Sequence, residues 1–403
     1  MRTLFFFTEY YEPAQNSTAY FLTRIIGVAR RFHGKIQVIC ATPGPQTPSE
    51  DTENFSVFRV AVGHGDKNNL KQRIQKFLVI SWHFFRLAFL HVRRNDVVFA
   101  VTNPAFIIFI LAVLRSFRRF EYILLAYDIF PENLVAAGLA RQKSFHYRVV
   151  KKIFDWSYSR ADRVIVIGRD MANILKNKGV ENRRLLLIPN WSDCSRIQPT
   201  SPRNNPYLCQ LGIQNKKVFL FAGNIGRVQG IDNLLTAITL VKSKQAVFLF
   251  IGSGAMADTV RMQQAESRYH NIYYLEPLPL EKQPEFLNAC DVAIVTLGTN
   301  MLGLGVPSKS YFSMAAGKPL LYIGEHDSEI AQVIAEEQCG WQVEPHEPAR
   351  LAELIDLICA LPEEKLTAAG QAARRTAEKR FSETVIQNRY GELFTSLNYQ
   401  EKK

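Results

Sequence analysis

The sequence predicts an α/β protein built from two doubly wound, Rossmann-like domains, and three observations carry that prediction. Continuous apolar runs of four to eight residues alternate with helical patterns along the whole chain, the pattern of buried parallel strands with crossover helices. The chain has 403 residues, too many for one ordinary core and comfortable for two. Near the middle, residues 192–215 carry Pro199, Pro202 and Pro206 among many Ser and Asn, a composition that marks a boundary.

Taken in order, the first half opens with the run Leu4-Phe5-Phe6-Phe7, too short for a signal-peptide core and read as a buried strand over 2–7. A helix over 17–32 and strands over 36–41 and 55–62 follow. Then come helix 70–93, strand 96–101, helix 104–117, strand 121–127, helix 144–159, strand 163–167 and helix 170–178. The second half repeats the pattern, with strands at 217–222, 246–251, 271–275, 291–296, 319–323 and 341–343. Its helices fall at 231–242, 254–268, 281–289, 308–316, 327–337, 347–360 and 363–380. The expected organisation is an N-terminal domain 1–195, a linker 196–215, a second domain 216–380, and a helix in 381–403 free to cross back to the first. Ligands on open parallel sheets bind beyond the carboxyl ends of the strands. Two such sheets facing each other make a central cleft.

The formal charge of +12 is unevenly placed. Residues 1–200 hold 29 Lys and Arg against 15 Asp and Glu, and residues 201–403 hold 20 against 22. An anionic partner is therefore implied for the first half only: nucleic acid, anionic lipid or a phosphorylated acceptor. The six cysteines form no C-x-x-C pair and no metal-ligand spacing, which suits a reducing compartment. Residues 77–92 contain His83, Arg86 and His91, and the uncharged run 105–114 is ten residues long. A spanning helix needs about 20 apolar residues, so both fit a buried or surface-lying helix better.

Two stretches of the second half suit an anion. In Phe221-Ala-Gly-Asn-Ile-Gly-Arg-Val-Gln-Gly230, Gly223, Gly226 and Gly230 let the backbone turn tightly between a strand and a helix. The helix N-terminus offers N–H groups to phosphate, Asn224 lies in the turn, and Arg227 adds a charged donor. An ordinary strand-to-helix turn has the same composition. In Gly303-Leu-Gly-Val-Pro-Ser-Lys309, Ser308 sits at a helix start and Lys309 beside it. A lysine there opposes the helix dipole unless an anion is present, which favours phosphate over a merely solvated lysine.

Two stretches of the first half lie at strand ends. Asp128, in Ala126-Tyr-Asp-Ile-Phe-Pro-Glu132, either holds acceptor hydroxyls or caps the next helix, and Glu132 closes the same element. In the first strand-to-helix loop, Glu9 lies nearer the strand than Glu12, and Asn16 suits a plain N-cap better than a ligand.

In this order the residues resemble glycosyltransferase family 4, over nearly the whole chain. Ala161-Asp-Arg-Val-Ile-Val-Ile167 through Ile188-Pro-Asn-Trp-Ser-Asp193 is similar to the family's "AD-x-V…IPN" passage, and Gly223-Asn-Ile-Gly226 to its donor-phosphate loop. Val306-Pro-Ser-Lys309 with Ala315-Ala-Gly-Lys-Pro319 is similar to its donor-site helix. Asp128-Ile-Phe-Pro-Glu132 resembles the "D-x-x-P-E" element of a subgroup that includes bacterial N-acetylfucosamine transferases of surface-polysaccharide synthesis. The resemblance implies the GT-B fold, a UDP-sugar donor, a lipid-linked or saccharide acceptor, and metal-independent transfer with retention and no cofactor. It implies that Gly223, Asn224, Gly226, Arg227, Ser308 and Lys309 hold the donor, with Arg227, Lys309 and Asp128 carrying the chemistry. Glu9, Asn16, Asp128 and Glu132 are the acceptor candidates. Three positions depart from the family pattern: the usual Glu-x7-Glu pair is Leu304 and Phe312, a lysine of the first loop is absent, and the usual His-Asp pair is Tyr127-Asp128.

The basic first half, with Lys67, Lys71, Arg73, Lys76, Arg86, Arg93 and Arg94 around residues 77–92 and Arg115, Arg118 and Arg119 after the second apolar helix, implies peripheral attachment to the cytoplasmic face of an anionic membrane. Packing of Phe84, Phe85, Leu87 and Phe89 in the core is the other reading. A nucleotide-sugar epimerase of the same fold and a silent nucleotide-sugar-binding scaffold are the alternative functions. Nucleic acid ranks last, because no recognised motif accompanies the charge.

Overall fold

A computed structural model describes residues 2–14, 16–43, 52–62, 70–266 and 270–399. The chain divides into two compact units, Met1–Pro189 with Gln387–Lys403, and Asn190–Ile386.

The first unit contains a seven-stranded parallel sheet. Its strands are β1 (Leu4–Thr8), β2 (Ile36–Pro43), β3 (Phe55–Val62), β4 (Val97–Val101), β5 (Glu121–Ala126), β6 (Arg163–Val166) and β7 (Leu185–Leu187), in the order β3-β2-β1-β4-β5-β6-β7. Every residue of β1 and β4 is buried, as strands covered on both faces must be. The winding reverses between β1 and β4, and the carboxyl ends there form the crevice where such sheets take ligands. The three-residue β7 was not expected: Leu185-Leu-Leu187 is half exposed and too short to stand out as an apolar run. The helix Glu383–Tyr399 sends Tyr390, Phe394 and Leu397 into this core. The Phe394 ring lies 6.4 Å from that of Phe6 and 6.2 Å from that of Phe99.

Helices Leu70–His91, Phe106–Arg118 and Phe145–Ser159 pack side by side in this order. The first buries Ile80, Phe84 and Ala88, and it exposes Leu78, Trp82, Phe89 and Leu90. The core reading of this stretch holds for Phe84 and not for Phe89, which is exposed. Phe117 is 81% exposed, Phe145 75% and Trp82 63%, values that no core explains. Val149 and Ile153 extend the stripe from Phe145 at four-residue spacing. No described helix is long and apolar enough to cross a membrane. Lys67 lies outside the described residues, as do the side chains of Lys71 and Arg73.

The second unit contains a six-stranded parallel sheet. Its strands are β8 (Lys217–Ala222), β9 (Ala246–Ile251), β10 (Ile272–Leu275), β11 (Val292–Thr296), β12 (Leu320–Ile323) and β13 (Gly340–Val343), in the order β10-β9-β8-β11-β12-β13. The expected helix 254–268 is described as Ala257–Glu266, and its last two residues lie outside the described range. The expected helix 281–289 is a 3-10 turn followed by the short helix Gln283–Leu287.

The linker expectation is corrected. Residues 196–215 are built into the second unit, with Ile197, Leu208 and Ile213 buried and a short helix at Pro206–Leu211. Polar side chains hold this backbone: Arg374 donates to the Ile197 carbonyl (2.6 Å) and Lys318 to that of Thr200 (2.9 Å), while the segment's own Asn205 donates outward to the Glu285 carbonyl (2.8 Å). A Pro- and Asn-rich segment can be ordered this way, because its carbonyls are satisfied without a strand or a long helix.

Candidate active site

In the second unit, the loops following β8, β9 and β11 converge. Gly223 adopts φ 116° and donates to the Ile251 carbonyl (2.8 Å), carrying β8 past its last residue. Ile225 donates to the Ser253 carbonyl (2.9 Å), and Met256 returns a bond to that of Ile225 (3.0 Å). Gly298 donates to the Val228 carbonyl (2.9 Å). The turn Gly252-Ser-Gly254 permits this approach: a Cβ on Gly252 would land on the Gly223 carbonyl, and one on Gly254 on that of Ile225. Sequence reasoning passed over this turn, although a Gly-x-Gly directly after an apolar strand was the available signal.

Lys309 reaches onto the same loop. Its ammonium lies 3.1 Å from the Asn224 carbonyl, 3.5 Å from Gln229 Oε1 and 3.5 Å from the ring centroid of Phe221. Among the described residues no carboxylate pairs with it. Burial against the loop pushes its pKa down to about 7. Arg227 begins the 3-10 turn Arg227–Gln229 and is exposed, also with no described ion pair. Two cations left without carboxylates beside a glycine-rich turn are what an anion needs. Gly226, at φ −94°, is not conformationally required, and a Cβ there would meet the end of the Asn224 side chain at 2.8 Å and displace it.

The helix that follows is shorter than expected, Lys309–Ala315, and Ser308 makes no capping bond. Residues 307–310 do not present a row of free amides to an anion. Pro307 has no N–H, and the Ser310 amide is taken by the Pro307 carbonyl at 3.2 Å. Leu304 is buried and Phe312 half-buried, so apolar side chains fill the positions of the family's acidic pair. The carboxylates at the strand ends come from elsewhere: Glu325, after β12, accepts from the Asn300 amide (3.2 Å), and Glu344, after β13, accepts from the His326 amide (3.0 Å).

In the first unit, Asp128 lies just past β5. Its amide and that of Tyr127 donate to Thr102 Oγ1 at 3.2 and 3.1 Å. Its carboxyl accepts from Asn103, but burial dominates and pushes its pKa up to about 6. Asn103 also accepts the Glu9 amide on its carbonyl (2.9 Å). The ends of β1, β4 and β5 are thus tied together through a residue that sequence reasoning missed. Glu9 is ion-paired with Lys76 (3.2 Å). Asn16 caps the helix Ser17–Ala29, its Oδ1 accepting from the Ala19 amide at 2.9 Å. Glu132 is held by Lys178 (2.7 Å) and Lys151 (3.4 Å).

Residues 209–376 match the family described as glycosyl transferases group 1, and residues 20–191 match the glycosyl transferase 4-like domain. A probable glycosyltransferase, WbjE of Pseudomonas aeruginosa, is 39% identical over 407 residues, covering 100% of both chains. The chain belongs to the glycosyltransferases. Its fold is GT-B: the enzyme superposes on the Anabaena protein HepE in complex with UDP-glucose with a TM-score of 0.69 at 16% identity, over 98% of this chain and 100% of that one. It also superposes on the sucrose-phosphate synthase of Thermosynechococcus elongatus with a TM-score of 0.77 at 15% identity, over 99% and 100%.

Proposed function

We propose that this glycosyltransferase moves a sugar from a UDP-sugar onto a lipid-linked or saccharide acceptor at an anionic, cytoplasmic membrane face, with retention and without a metal. The observation that carries the donor reading is Lys309, whose ammonium meets the loop after β8 with no carboxylate among the described residues to neutralise it. A bound diphosphate supplies the missing charge. The UDP-glucose held by HepE supports a uridine nucleotide. Lys309 and Arg227 stabilise the charge that develops on the leaving diphosphate, commonly the largest catalytic term, so no divalent cation is needed. Asp128, with its pKa near neutrality, accepts a hydrogen bond from the attacking acceptor hydroxyl.

The membrane reading is supported by three neighbouring helices. Residues 70–94, 106–119 and 137–160 hold six, three and six Lys and Arg respectively, against a single acid, Asp155. They expose Trp82, Phe117 and Phe145 among that charge. Basic residues at an anionic leaflet contribute about 1 kcal/mol each, and the apolar side chains enter the interface.

The test is sugar transfer by Lys309→Ala. Loss of one such donor lowers turnover by about 10²–10³-fold, and added EDTA leaves the wild-type rate unchanged. Wild-type turnover by the variant, or loss of activity with EDTA, contradicts the reading.

A further inference from the structure

We propose that Lys178 is the positioning residue for Asp128, and that Glu132 belongs to the strut beneath that loop rather than to the acceptor site. Lys178 follows the helix Arg169–Asn177 in sequence, where a lysine ordinarily reaches into solvent and favours the helix dipole. Here its side chain is turned inward and only 2% exposed. Its ammonium donates to Glu132 Oε1 (2.7 Å), Asp155 Oδ1 (2.6 Å) and the Phe130 carbonyl (3.1 Å). An ammonium has three protons, and these three acceptors account for all of them. The Phe130 amide donates to the buried Tyr158 hydroxyl (3.1 Å). Lys151 closes the cluster on Asp155 (2.6 Å).

Both polar groups of the Phe130 peptide backbone are therefore fixed from below, two residues after Asp128. Thr102 Oγ1 fixes the Asp128 amide from the other side. The carboxyl is left on a backbone tethered at each end, which is how a reacting group is held to a fraction of an ångström. Glu132 spends one oxygen on Lys178, and its Oε2 is buried. With Oε1 shared by two lysines and Oε2 sealed from solvent, that geometry suits a strut.

This inference rests on Asp128 acting at the acceptor, so the experiment measures the loop and the reaction separately. Lys178→Met, Lys178→Arg, Tyr158→Phe and Glu132→Gln are compared with Asp128→Asn by transfer kinetics, UDP affinity and backbone hydrogen exchange over residues 126–134. Expected is a loss in kcat of about tenfold in Tyr158→Phe and about 100-fold in Lys178→Met, the scale of a misplacement of about 1 Å. UDP affinity stays unchanged, exchange over 126–134 becomes faster, and Lys178→Arg recovers part of the rate. Tyr158→Phe keeps the ring and the ion cluster and tests the amide tether alone, while Lys178→Arg, which keeps the charge, tests the carbonyl tether where Lys178→Met does not fold. Unchanged exchange and kcat in a folded Lys178 variant overturn the proposal. So does a Glu132→Gln enzyme that raises only the KM for acceptor. Wild-type turnover by Asp128→Asn instead removes the role given to Asp128, while the exchange data still report whether Lys178 holds the loop.

Discussion

Lys309 and Asp128 each carry a charge against burial, with opposite consequences for pH. Burial brings the pKa of Lys309 down to about 7, and the phosphate role proposed for it requires the protonated form. Its contribution is present below that value and is lost as the pH rises. UDP binding by wild type should weaken between pH 6.5 and 8.5 relative to Lys309→Arg, whose guanidinium stays charged; titration calorimetry of both proteins reads the difference, and parallel curves contradict it. Asp128 is raised to about 6 and the role proposed for it requires the ionised form, so that contribution is lost as the pH falls through 6. The acid limb of the kcat profile should sit near that value and disappear from the residual activity of Asp128→Asn. The sequence placed Asp128 at a strand end, but its environment comes from Thr102 and Asn103, more than twenty residues earlier. Glu132 was an acceptor candidate beside Asp128 in sequence, and its carboxylate is engaged by lysines 19 and 46 positions away.

Among the elements, the strand-to-helix turns depend on glycine most directly. Gly254 adopts φ 151°, and its missing Cβ is the space the Ile225 carbonyl occupies. Gly254→Ala should push the turn after β9 away from the loop after β8, at a cost of about 1–3 kcal/mol. UDP affinity should fall together with the melting temperature. An alanine variant with unchanged affinity would show that the two loops need not touch. The strands themselves were legible because buried parallel strands are apolar at every position; β7 was missed because three half-exposed leucines carry too little of that signal. The linker was misread because proline and asparagine report only that a segment lacks regular structure, not whether side chains elsewhere bind its carbonyls.

At the scale of the molecule, the charge is concentrated where the exposed aromatics are. Flotation with liposomes containing phosphatidylserine should recover the protein at low salt. Binding should weaken as ionic strength rises and the screening length falls from about 10 Å at 0.1 M toward 3 Å at 1 M. Replacing Trp82, Phe117 and Phe145 together by Ser should reduce flotation with little change in stability, since exposed substitutions usually stay within about 0.5 kcal/mol. Flotation unaffected by both salt and these changes contradicts the membrane reading. The basic helices 70–91 and 106–118 were visible in the sequence as apolar runs among arginines. The stripe Phe145, Val149, Ile153 was not, because a four-residue spacing marks a helix face without saying whether that face is covered. The sequence by itself determined the two parallel sheets, the glycine-rich turn after β8, the lysine that opposes its helix dipole and the uneven charge, because each follows from local composition and spacing. Only the tertiary structure decided that Gly252-Ser-Gly254 faces that turn, that Asn103 joins Glu9 to Asp128, and that a buried Lys178 pairs with Glu132. Those outcomes depend on clearances and ion pairs between residues far apart in the chain, and no local pattern encodes them.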